Sequence, residues 1–193
     1  MVRLTVLTSA SIPSGAYPSR RVTKPAPKAS EMANVIVFVR DPPQRVELQT
    51  TRARMLQQDE AFVPRVLAVT RGSSVEFPNT DPYFHNVFSL SSSASFDLGR
   101  YPSGDSRARA FSKAGLVKVY CHLHSHMSGT IMVFDHPYFR KPETDGTFAI
   151  GDLPAGTYRI SAWHERIGES VRTVRVEGGR AARVEFDLPV EDR

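Results

Sequence analysis

Hydrophobic residues in this chain come in short bursts separated by turn formers. ANVIVFV (33–39), VPRVLAV (63–69), SSVEFPN (73–79), HNVFSL (85–90), GLVKVYC (115–121), TIMVFD (130–135), GTYRISAW (156–163) and AARVEFDLP (181–189) are rich in β-branched and aromatic side chains. Each is bounded by Gly, Pro, Asn, Asp or Ser, the pattern of short strands ended by turns. Helical propensity is confined to the short stretch TRARMLQQDE (51–60). The pattern predicts an all-β chain built as sandwiches. In the fifth burst the two-residue period puts Val117, Val119 and Cys121 on one face and Lys118, Tyr120 and His122 on the other. Cys121 is therefore expected to face the core and His122 to face away.

Composition sets the outer bounds. The 193 residues are 40% hydrophobic and 23% charged, ordinary for a soluble globular protein of one or two domains. No apolar run approaches the roughly 18 residues of a membrane helix. The N-terminal MVRLTVLTSASIPSG reads as a strand rather than a signal peptide, because Thr and Ser interrupt its apolar patch. The net charge of +5 is scattered along the chain. Without an aromatic platform or a recognition-helix pattern this argues against nucleic acid, and it fits steering toward an acidic protein partner. A single cysteine excludes an intrachain disulfide and every centre that needs two thiolates: zinc ribbons, iron–sulfur clusters and binuclear copper.

That cysteine lies in VYCHLHSHMSG (119–129), beside three alternating histidines and a methionine. Cys121, His124 and Met127 are three residues apart, so one short loop can turn all three side chains toward a common centre. A histidine-rich strand end with an inert buried thiol, the common fate of a lone cysteine, is the competing reading at this point.

The surrounding motifs bear on that choice. A G-x-x-V-x-F-x-N strand (72–79), the dipeptide His85-Asn86, and Y-C-x-x-H-x-x-M (120–127) followed by a β-branched strand together resemble the cupredoxins, the plastocyanin and amicyanin class of blue copper proteins. The C-x2-H-x2-M spacing is similar to that of amicyanin. The resemblance covers residues 46–136 and implies a cupredoxin Greek-key sandwich whose ligands are His85, Cys121, His124 and Met127. It also implies that Asn86 hydrogen-bonds across the ligand loops and steadies the cysteine. The chemistry agrees: two imidazoles, a thiolate and a weak thioether form the set that copper electron-transfer sites use, and copper compensates a charge that burial otherwise penalises. The loop departs from short-loop members, which favour prolines where this chain has Leu123, Ser125 and His126. His122 or His126 in place of His124 would give a more hydrophilic, type-2-like centre. For each ligand a bland alternative stands beside this reading: a core methionine for Met127, a surface imidazole for His85.

A seam falls near Pro137. Beyond it, D-G-x-F (145–148) followed by L-P-x-G-x-Y (153–158) resembles the carboxypeptidase regulatory-like domain, a transthyretin-like sandwich. About 55 residues supply only part of such a domain. VRLTVLT and ANVIVFV, joined by a Pro/Ser/Lys-rich insertion (11–31), look like the missing opening pair. Residues 1–42 and 137–193 are thus expected to form one discontinuous, smaller sandwich with the 46–136 domain inserted. His164, in AWHE, is expected to be a surface histidine of this second sandwich, the alternative being that it lies against the copper loop.

The resemblance implies a mononuclear type 1 copper protein that carries one electron and catalyses no reaction of its own. It also implies an extracytoplasmic, periplasmic setting and a redox partner such as a c-type cytochrome or a quinoprotein dehydrogenase. Two other classes remain open from the residues alone: a periplasmic copper-handling protein that uses the histidine-rich loop, and a metal-free structural or adhesion module.

Overall fold

The computed structural model of the chain describes residues 2–6, 31–43 and 47–189. Seventeen strands follow one another among them, with one 3-10 turn at Glu31–Asn34. In chain order they are β1 (Val2–Val6), β2 (Val35–Val39), β3 (Arg52–Arg54), β4 (Leu56–Gln58), β5 (Ala61–Val63), β6 (Val66–Thr70), β7 (Ser74–Pro78), β8 (His85–Ser91) and β9 (Ala94–Tyr101). Then come β10 (Ser106–Ala110), β11 (Gly115–Tyr120), β12 (Ser128–Phe134), β13 (Phe139–Arg140), β14 (Thr147–Phe148), β15 (Gly156–His164), β16 (Gly168–Val176) and β17 (Glu185–Leu188). The all-β class is as the hydrophobic pattern predicts. No helix among the described residues is long and apolar enough to cross a membrane. Residues 7–30, which hold all but the last residue of the Pro/Ser/Lys-rich insertion (11–31), lie outside the described residues.

The chain divides into two compact units: Asp41–Arg140 with Gly151–Leu153, and Met1–Arg40 with Lys141–Ile150 and Pro154–Arg193. In the first, a five-stranded sheet runs β6-β12-β11-β8-β9 and a three-stranded sheet runs β10-β7-β3. Both close on one core. Val117, Val119, Ile131, Val133, Val69, Val87 and Tyr101 from the larger sheet join Val75 and Phe77 from the smaller, with Met55, Phe62 and Phe111, in a single buried cluster. β6 lies parallel to β12 and β3 parallel to β7, and the remaining pairs of these two sheets are antiparallel.

The stretch 51–60 is not helical. It forms β3, β4 and the turn at Asp59 and Glu60. Its Arg, Leu, Met and Gln favour helix intrinsically, but they alternate: Met55 and Gln57 are fully buried, while Arg52, Arg54 and Gln58 face water. Pairing of Arg52–Arg54 with β7 and of Leu56–Gln58 with β5 overrides the local preference. Several strands fall outside the hydrophobic bursts. β10, SRARA, is exposed along its whole length as an edge strand, β9 pairs with β8 and sends Tyr101 into the core with Phe96 and Leu98 packed against it, and β16 pairs with β15.

In the second unit β1 sits between β14 and β17, and β15 lies antiparallel between β2 and β16. Its core takes Val35, Ile36, Val37 and Val39 of β2, Tyr158, Ile160 and Ala162 of β15, and Phe148, Phe186 and Leu188. His164 is not a surface residue: it is fully buried at the end of β15. Its Nδ1 accepts the Arg166 amide at 3.3 Å, so Nε2 carries the proton and donates to Glu31 Oε2 at 3.1 Å. Glu31 is held in turn by Arg166 and Asn34. The network satisfies the buried imidazole within this unit.

Candidate metal centre

β8 opens at the site. Strict alternation would bury only every second residue, yet His85, Asn86 and Val87 are all buried in succession, next to a register shift between Asn86 and Phe88 in the pairing with β9. Bulges of this kind re-aim side chains beside functional sites. His85 points inward with no exposed surface, and its Nε2 lies 2.7 Å from Asp81 Oδ2. Asp81 also accepts the backbone amides of Asp59 at 2.6 Å and Glu60 at 2.9 Å. Burial pushes the Asp81 carboxyl up, but the two amides and His85 outweigh it and hold the group below its ordinary value of 3.8. An ionised carboxylate only accepts, so Nε2 of His85 is the protonated nitrogen, and in the neutral ring Nδ1 presents a bare lone pair.

That lone pair faces the loop between β11 and β12. The loop is short because Tyr120 pairs with Ser128, and it is folded back by Met127 N to His124 O at 3.0 Å and Cys121 N to Met127 O at 3.4 Å. It brings Cys121 Sγ within 3.8 Å of His85 Nδ1 and 3.8 Å of His124 Nδ1, with the two Nδ1 atoms 3.0 Å apart. His85 and Cys121 are buried and His124 is half-buried. Bonds of about 2.0–2.3 Å to a trigonal ion would set such donors about 3.5–3.8 Å apart. The two sulfur–nitrogen distances match this spacing and the two imidazole nitrogens stand closer, at 3.0 Å, so an ion of that size fits with a narrowed angle between the imidazoles. Met127 is buried in the same core cluster as Cys121, at the C-terminal end of the loop.

Asn86 ties the two sides together. Its Oδ1 accepts the His122 amide at 3.2 Å and its Nδ2 donates to Asp97 Oδ1 at 2.6 Å. The Gly99 amide holds the Asp97 carboxyl below its ordinary value, helped by Asn86 and His122 against a smaller opposing effect of burial. His122 turns away from the trio, as its place in the alternation requires: it stacks on Phe88 with centroids 3.7 Å apart and planes 1° from parallel, and Nε2 reaches Asp97 at 3.6 Å. His126 pairs with Glu60 at 3.0 Å on the surface. Neither histidine belongs to the trio. Tyr83 sets its ring 6.0 Å from that of His85 and 6.1 Å from that of His124. Tyr83, Phe84 and Leu123, which neighbour these histidines in the chain, are exposed large apolar residues.

The sequence reading missed Asp81 and the Asp59–Glu60 turn. Asp81 stands four residues before His85 in NTDPYFH, which reads as turn chemistry, and nothing local reveals that its carboxylate turns back to the imidazole. The partnership with residues 59 and 60 is set by packing of β4 and β5, more than twenty residues upstream.

No protein-family model matches the chain, and no curated protein matches it in sequence. Among solved structures it is similar to a purple cupredoxin from Nitrosopumilus maritimus, at 22% identity over 42% of this chain and 98% of that one, with a TM-score of 0.38. It is also similar to an oxidized mutant of amicyanin, at 20% identity over 42% of this chain and 81% of that one, TM-score 0.40. A third is a copper-containing nitrite reductase from Thermus scotoductus SA-01, at 22% identity over 56% of this chain, TM-score 0.41. The chain spans only 27% of that enzyme.

Proposed function

We propose that residues 41–140 form a mononuclear type 1 copper domain of the cupredoxin kind, and that the chain carries single electrons. The observation that carries the proposal is the convergence of one sulfur and two bare-capable imidazole nitrogens within 3.0–3.8 Å of one another, in a site where Cys121 and His85 are buried. His85, Cys121 and His124 are the proposed equatorial ligands and Met127 the weak axial one, with Asn86 fixing the ligand loop. Copper in such a trigonal thiolate site cycles between two oxidation states. The residues contribute a rigid frame: Asp81 orients His85, Asn86 pins the loop, and the sandwich core immobilises Cys121 and Met127. His124 is the one half-buried member of the trio, with exposed Tyr83 and Leu123 beside it, which supports it as the edge through which an electron enters and leaves.

The proposed partner is a redox protein, a c-type cytochrome or a quinoprotein dehydrogenase, met outside the cytoplasm, and the net charge of +5 fits an acidic one. The other unit is proposed to be a carboxypeptidase regulatory-like sandwich that accompanies the copper domain. A copper-handling role through His122 and His126 finds less support, because each faces its own carboxylate rather than a shared centre.

The test is a visible absorption and EPR spectrum after one equivalent of Cu(II). An intense thiolate-to-copper band with narrow copper hyperfine splitting is expected, and Cys121→Ser abolishes the band. A pale spectrum with wide splitting, or no uptake, overturns the proposal.

A further inference from the structure

The turn joining β4 to β5 carries at its second central position a residue unsuited to it, Glu60. Gln58 pairs with Ala61, leaving Asp59 and Glu60 as the two central residues, and both have positive φ, 53° and 54°. This left-handed pair is the conformation for which hairpins select Asn-Gly, and for glutamate it is strained. Strained backbone persists where its surroundings over-determine it, and such outliers cluster at functional sites.

Here the surroundings are Asp81. Its Oδ1 takes the Asp59 amide at 2.6 Å, its Oδ2 the Glu60 amide at 2.9 Å, and Oδ2 also takes His85 Nε2 at 2.7 Å. The Asp81 amide in turn donates to Asn79 Oδ1 at 3.0 Å, and Thr80 donates from backbone and hydroxyl to Gln57 O, so the carboxylate cannot swing away from the turn. The same turn reaches the ligand loop on its other side, where Glu60 Oε2 lies 3.0 Å from His126 Nε2.

We infer that the Asp59–Glu60 turn is a positioning device for the metal site, its paired amides locking Asp81 so that Asp81 locks His85 in the Nε2-protonated tautomer with Nδ1 bare toward Cys121 and His124. The inference rests on the copper reading above and adds to it a residue pair far from the ligands in sequence. Outer partners of this kind set both the tautomer and the basicity of a ligating imidazole. Asp81 is a positioning residue: three donors converge on its two oxygens, and an asparagine there would turn one acceptor into a donor facing a donor.

The experiment is nitrogen NMR of His85 in the metal-free full chain, followed by copper titration of the native chain and of Asp81→Asn. The native chain should show a single Nε2-protonated tautomer before any metal is added. Asp81→Asn should scramble the tautomer and lower copper affinity by about 10–100-fold, while the thiolate-to-copper band survives. A native His85 protonated on Nδ1 overturns the inference without any variant, and so does Asp81→Asn with tautomer and affinity unchanged. If the native chain shows the expected tautomer but takes up no copper, the copper reading fails, and with it the purpose assigned to the turn.

Discussion

The Nδ1 atoms of His85 and His124 stand 3.0 Å apart in a site that is otherwise closed by a sulfur. Because Asp81 engages the Nε2 proton of His85, only the His124 ring or the Cys121 thiol can supply a proton to this contact. An incoming metal ion must displace whatever protons the trio holds. Titration calorimetry with Cu(II) in two buffers of different ionisation enthalpy should therefore report at least one proton released per ion bound. Heats independent of buffer would mean that the ion binds elsewhere.

Asn86 links β8 to the ligand loop through the His122 amide and to β9 through Asp97. Asn86→Ala removes both hydrogen bonds of this buried amide while its partners, the exposed His122 and Asp97, can turn to water, a loss of about 0.5–1.5 kcal/mol per bond. Urea denaturation should show the lower midpoint at an unchanged slope. The copper spectrum should broaden as the loop loosens, whereas an unaltered spectrum would confine Asn86 to a structural role.

The fold class and the convergence of Cys121 and His124 on one centre were legible for a common reason: both are written in local patterns. Alternation in VKVYC aims Cys121 at the core, and three-residue spacing carries the loop back to it. His164 and Asp81 were not legible, because their partners, Glu31 and the 59–60 amides, lie 133 and 21–22 residues away and are brought near only by the packed sheets. TRARMLQQDE misled because its helix-forming composition masks an alternation that matters once β5 and β7 are present to pair with it. Edge strand β10 was invisible for the opposite reason. Its arginines lie over Tyr101 and Phe96 rather than inserting into the core, and so leave no apolar burst.

Gly129 closes the ligand loop, and a Cβ built there would meet Val119 Cγ2 at 3.1 Å, Arg65 O at 3.2 Å and Phe62 Cβ at 3.2 Å. Two of these neighbours are backbone or Cβ atoms that cannot move without shifting a strand. Gly129→Ala should cost about 1–3 kcal/mol by overpacking and lower the thermal midpoint of the metal-free chain. A neutral or stabilising result would mean that β12 has freedom to slide, and the ligand loop with it.

His136 offers the clearest pH dependence away from the metal site. Its ring packs against Phe134 and Tyr138 with centroids at 5.2 and 6.2 Å, and Nδ1 accepts the Tyr138 amide at 3.2 Å, an arrangement that requires the neutral form. Burial lowers its pKa below the ordinary 6.5, only partly opposed by the charge of Asp135. Above pH 6.5 the ring is neutral folded or unfolded and contributes no slope. Below 6.5 the unfolded chain takes up a proton that the folded chain refuses, so stability falls with pH until the folded value is passed, by at most about 1.4 kcal/mol per pH unit for one proton. Other groups add their own slopes, and the comparison of wild type with His136→Phe isolates this one. Urea midpoints measured between pH 7.5 and 5 should fall more steeply for the wild type. Parallel profiles would mean that His136 titrates alike in both states, and that the aromatic enclosure around it opens readily to water.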